Sequence, residues 1–129
     1  MGATAYRTAK ANVLPRELWP SAAYGGILRL IGRAGRAIAR SDHPDAHSAL
    51  IQAQQIIIGL RVSLQPEGGE LSGRLAELYD YIFAELVQAN VHKDRDRLDR
   101  LVQVIAPLRD AWETAGRAAL QGLPHAGER

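Results

Sequence analysis

The chain reads as all-α, an antiparallel up-down four-helix bundle with a short mobile N-terminal segment. Three observations predict it. Apolar residues recur at steps of three and four from about residue 21 to residue 119, the period of a helix with one buried stripe. Ser41-Asp-His-Pro44, Pro66-Glu-Gly-Gly69 and His92-Lys-Asp94 cut that pattern into four runs. Each run has about twenty residues, roughly 30 Å as a helix, and short links make successive helices antiparallel.

The first helix is expected from Ser21, which can cap it, to about Arg40. Pro15 and Pro20 both fit helix starts and would break a helix interior. Its core stripe is Ile27, Ile31, Ala34 and Ile38, with Arg29, Arg33, Arg36 and Arg40 opposite. Those arginines read either as a solvated face or as a site for phosphate or an acidic partner. Gly25, Gly32 and Gly35, with Ala39, form a flank that either admits a close neighbour or simply weakens the helix.

Asp42 or Ser41 can cap the second helix, and Pro44 fits its first turn. This helix, about 45–65, carries a seam of Leu50, Ala53, Ile57, Leu60 and Leu64. A second line, Ile51, Ile58 and Val62, lies about 140° away, farther than core packing usually reaches. Gln52, Gln54 and Gln55 are nearby. Such a surface suits another helix or an extended peptide. The third helix, about 70–91, contains the clearest stretch of the chain, Leu75 to Asn90, without Gly or Pro. Leu71, Leu75, Leu78, Ile82, Leu86 and Ala89 form its core face, and Tyr79, Phe83 and Val87 a second stripe. The fourth helix buries Leu98, Leu101, Ile105, Leu108, Trp112, Ala115 and Ala119, with a bend expected at Pro107. The division is then 1–20 as an N-terminal segment, flexible or folded back on a groove, 21–120 as the bundle, and 121–129 as a flexible tail.

Composition narrows the function. With 47% hydrophobic and 23% charged residues the chain is globular rather than disordered. There is no cysteine, which removes disulfides, thiolate metal sites and thiol catalysis and suits a reducing compartment. No apolar run reaches the roughly 18 residues of a membrane span, and the N-terminus lacks a signal-peptide core. A cytoplasmic protein with no membrane insertion is expected. A net charge of +2 argues against nucleic acid as a partner.

No enzyme is expected either. The sequence lacks His-Glu-x-x-His, the Glu-x-x-His of di-iron bundles, a Gly-Lys phosphate loop and a nucleophile elbow. Asp80 and Glu85 read as helix-surface carboxylates. His43 and His47, four apart beside Asp42 and Asp45, read as surface residues rather than metal ligands. No catalytic residue, metal site or cofactor is assigned.

An ordered set of segments resembles the FliS family of flagellin-specific export chaperones. It comprises Leu78-Tyr-Asp-Tyr-Ile82, Leu86-x-x-Ala-Asn90, Asp94 and Leu108-Arg-Asp-Ala-Trp112. Ala53-Gln54-x-Ile56-Ile57-x-x-Leu60, Tyr24-Gly-Gly-Ile27 and Ala34-x-x-Ala37-Ile38 complete it, with Tyr6 ahead of them. The chain departs from the family pattern at Trp19-Pro20 and at Gly25. The resemblance implies a bundle that binds the C-terminal segment of flagellin, prevents early polymerisation and delivers the client to the flagellar type III export gate. It also implies that the N-terminal segment can cover a groove, with Tyr6 touching it. The expected client-binding wall is Ile51, Ile58, Val62, Tyr79, Phe83 and Val87, between the second and third helices. Gln54, Gln55 and Asn90 form its polar rim. The alternative is a helical adaptor or self-associating regulator of the same system with a different client.

Overall fold

A computed structural model describes residues 19–122, with side chains for residues 19–118. Tyr6 and the proposed N-terminal and C-terminal segments therefore fall wholly or mostly outside the described residues. Four helices occupy the described chain: α1 (Trp19–Ala39), α2 (His43–Val62), α3 (Gly69–His92) and α4 (Arg95–Gly122). A single 3₁₀ turn, Pro66–Gly68, separates α2 from α3.

The helix ends follow from local chemistry. α1 opens at Trp19, two residues before the expected start, because Pro20 sits in the first turn where its missing N–H costs nothing. Ser21 is consequently inside the helix, buried, and is not its cap. Asp42 caps α2 by accepting a hydrogen bond from the Asp45 backbone N–H at 3.1 Å, with Pro44 in the first turn. Gly69 has φ +62° between the 3₁₀ turn and α3, a conformation open chiefly to glycine. Lys93 ends α3 in the left-handed region, its N–H bonded to the Ala89 carbonyl. Asp94 then starts α4 by accepting from the Arg97 N–H at 3.1 Å.

Cross-helix bonds fix the directions. Early α2 meets late α1 where Arg33 Nε donates to Asp45 at 3.1 Å. Late α2 meets the middle of α3 at Arg61–Asp80, and early α2 meets late α3 at His47–Asn90. Glu85 of α3 meets Arg97 of α4 at 2.8 Å. Successive helices are therefore antiparallel, and α1 packs against both α2 and α4. The core is built from the expected seams: Ile27, Ile31 and Ala34; Leu50, Ala53, Ile57 and Leu60; Ile82, Leu86 and Ala89; Leu98, Leu101 and Ile105.

Three departures have physical causes. Leu71 is 60% exposed, and Leu75 and Leu78 are half-buried, because α3 and α4 pack only lightly against each other. Ala115 is exposed while Gly116 is buried, so the α4 seam advances by four rather than three after Trp112. Ile56, off the expected seam, is buried because α2 serves two neighbours, α1 and α3. On the glycine flank, a Cβ at Gly25 or Gly32 would meet only the guanidinium of Arg29 or Arg36 on the same helix, and one at Gly35 meets nothing within 4 Å.

At the centre lies a polar pair. The hydroxyls of Tyr24 (α1) and Tyr79 (α3) are 2.5 Å apart, with ring centroids 6.3 Å apart. Either hydroxyl can be the donor of this bond. Trp112 of α4 is half-buried and packs on the same core. Burial pushes both phenols above their ordinary values, and for Tyr24 the neighbouring Tyr79 adds to the rise.

Tyr24→Phe should lower stability by about 1–3 kcal/mol in urea unfolding, because it strands the buried Tyr79 hydroxyl. Gly35→Ala should raise stability by roughly 0.5–1 kcal/mol in the same measurement. The Asp94 carboxyl is held below its ordinary value, first by the Arg97 backbone N–H and then by the Arg97 and Arg100 charges, against the opposing effect of desolvation. A depressed native value stabilises above the ordinary carboxylate range, and that contribution is lost as pH falls. Asp94→Asn keeps a capping oxygen but removes the charge. Its unfolding midpoint should lie below the parent's at pH 7, with the gap closing below about pH 4.

Candidate functional site

The largest exposed apolar side chains of α2 are Ile58 (47% exposed) and Val62 (74%). Ile51 and Gln54 are half-buried on the same flank, and Gln55 lies farther out, exposed. This flank faces away from the α2 seam, as the 140° offset requires. Across from it, α3 presents Phe83 and Val87, both half-buried, with Phe83 packed on the core.

Two pins hold these flanks side by side. At one end Arg61 Nε donates to Asp80 Oδ1 at 3.0 Å, in an exposed ion pair. At the other, Asn90 Nδ2 lies 2.9 Å from His47 Nδ1. Antiparallel travel between the pins sets Ile58 near the level of Phe83 and Ile51 near that of Val87. The result is a shallow apolar strip along the outer side of the α2–α3 junction. The ion pair contributes little stability where it is so exposed. Its clearer effect is to place a fixed pair of charges at one end of the strip.

The structure brings together Ile51, Gln54, Ile58, Val62, Phe83 and Val87 from the expected site and withdraws two others. Tyr79 is only 2% exposed, in the core beside Tyr24. The correction is geometric. Residues four apart overshoot a 3.6-residue turn, so the Tyr79–Phe83–Val87 line drifts about 40° per step. Its first member therefore falls inside and its last faces out. Asn90 is 7% exposed and ties α2 to the end of α3, rather than forming an open rim. Tyr6 lies outside the described residues. The Arg61–Asp80 pair was not singled out from sequence, since nothing local marks residues nineteen apart as partners.

The other charged features are occupied. Arg33 pairs with Asp45, and Arg40 reaches Asp45 at 2.9 Å and Asp42 at 3.5 Å. The Arg33 hydrogen bond is the main cause that holds the Asp45 carboxyl below its ordinary value. Two of the four arginines of the expected stripe, Arg33 in α1 and Arg40 just past its end, are thus engaged with α2 and its cap. Asp45 is committed to arginine, and His47 Nδ1 to Asn90, so the pair His43 and His47 gains no carboxylate from Asp45. Among the described residues no group of three or more His, Cys, Asp or Glu side chains is placed to hold a metal ion. No described helix is long and apolar enough to cross a membrane.

Comparison with known proteins adds the lineage. The family model described as "Flagellar protein FliS" matches residues 2–119. The flagellar secretion chaperone FliS of Bacillus subtilis (strain 168) is 36% identical over 113 residues, covering 87% of this chain and 84% of that protein. The flagellar secretion chaperone FliSB of Pseudomonas aeruginosa is 36% identical over 100 residues, covering 77% and 79%. The flagellar secretion chaperone FliS of Salmonella typhimurium is 33% identical over 92 residues, covering 70% and 68%. On the length of the family match and on these identities, the chain belongs to the FliS family of flagellar export chaperones.

Proposed function

We propose that this chaperone binds the C-terminal segment of flagellin along the α2–α3 strip and keeps it from polymerising before export. The observation that carries the reading is the exposed line of Ile58 and Val62, facing Phe83 and Val87 across a pinned helix pair. An amphipathic segment without its mate seeks such a surface. Covering apolar area contributes about 25 cal/mol per Å². Ordering a disordered client costs 2–5 kcal/mol or more, so roughly 200 Å² of apolar contact offsets the upper end of that range. A longer wrapped interface leaves a net affinity. The chaperone then acts by masking, and handing the client to the type III export gate in the cytoplasm is part of the same proposal.

The test is on the strip's most exposed members, whose replacement leaves the core untouched. Ile58→Asp and Val62→Asp should retain helical circular dichroism and the parent's melting temperature within a few degrees. Each should weaken binding of a flagellin C-terminal peptide by about tenfold or more, measured by calorimetry. Unchanged affinity in both variants would remove the strip from the client site.

A further inference from the structure

The end of the strip beyond Ile51 carries an unassigned polar group. His47, Ile51, Gln54, Ile58 and Val62 step 4, 3, 4, 4 along α2, so His47 continues the same flank. Its ring is exposed, yet one nitrogen is fixed by a chain of hydrogen bonds. The Lys93 ammonium donates to the Asn90 backbone carbonyl at 2.6 Å and to Asn90 Oδ1 at 2.9 Å. An ammonium has no acceptor, so Oδ1 must face it and the Asn90 amide nitrogen must face His47. That amide nitrogen only donates, so His47 Nδ1 must accept, and the ring proton resides on Nε2. Nδ1 is directed at Asn90, and Nε2 lies on the other side of the ring, with no described protein partner.

We propose that His47 is a client-contacting residue, its Nε2–H a fixed donor for a backbone carbonyl of the peptide lying on the strip. Lys93 is the positioning residue, acting through Asn90. The inference rests on the client reading above. It adds to it a directional polar contact at the end of an otherwise apolar strip. Apolar surface alone sets no register for a docked segment. A single donor held at one end does, because only certain peptide carbonyls can reach it.

The two roles of Lys93 separate experimentally. As a left-handed helix cap at φ +49°, the position favours glycine, so Lys93→Gly should leave stability equal or improved if capping is its whole role. As a positioning residue, its loss frees the Asn90 amide to turn and His47 to change tautomer. The readouts are nitrogen NMR of the His47 ring in the full chain and calorimetry with the flagellin C-terminal peptide. The parent should show His47 protonated on Nε2, and Lys93→Gly a mixture of tautomers. His47→Ala should weaken the peptide about fivefold, as for one neutral hydrogen bond. Lys93→Gly should weaken it by a smaller factor, and adding it to His47→Ala should have no further effect. An Nδ1–H tautomer in the parent, or unchanged affinity in His47→Ala while Ile58→Asp still loses binding, overturns this assignment and leaves the strip standing. Unchanged affinity in Ile58→Asp and Val62→Asp removes the strip and this contact with it.

Discussion

A hydroxyl pair in the middle of the bundle sets the terms for everything around it. Tyr24 and Tyr79 join α1 and α3 across the core. Buried polar groups hold their place only while every partner is present, since an orphaned one is costly in a low-dielectric interior. Apolar contacts tolerate sliding, whereas this bond accepts a narrow range of distances and angles. It therefore fixes the depth and rotation of α3 at Tyr79. With that rotation set, Phe83 and Val87, one and two turns further along, come progressively outward against α2.

The outer strip is thus a by-product of inner geometry. A helix that drifts about 40° per four-residue step cannot keep one line of side chains on one face. The inner part of the line supplies the core with Tyr79, and the outer part supplies the surface with Val87. α2 is simpler: its exposed line, Ile58 and Val62, faces away from its seam. The chain's family is one of flagellar export chaperones, and its α2 surface carries an exposed apolar line.

Much of the architecture was legible from spacing alone, because each helix has a dominant seam and the break signals are strong. Asp42, Pro44, Gly69 and Asp94 mark ends through local chemistry, which a sequence carries directly. The misjudged positions depend on neighbours. Leu71 fits the α3 core face perfectly well by period, yet stays exposed because α4 does not close over it. Asn90 has a rim residue's chemistry and becomes buried because His47 arrives from another helix. Tyr79, the member of the second stripe nearest the core face, is buried because Tyr24 of α1 meets its hydroxyl there. The exposed members of the α2 line, Ile58 and Val62, were legible because a 140° offset leaves no ambiguity about the outside.

The light packing between α3 and α4 divides α3 into two regimes of motion. From Ile82 onward its backbone lies over buried side chains and is anchored by Glu85–Arg97 and the Asn90 contacts. Before Leu78 it is covered by half-exposed leucines and a glycine-flanked turn. Backbone amides there can exchange with solvent through local fraying, while those past Ile82 wait for a much larger opening. One helix then keeps two clocks, a fast one at its entrance and a slow one at its exit.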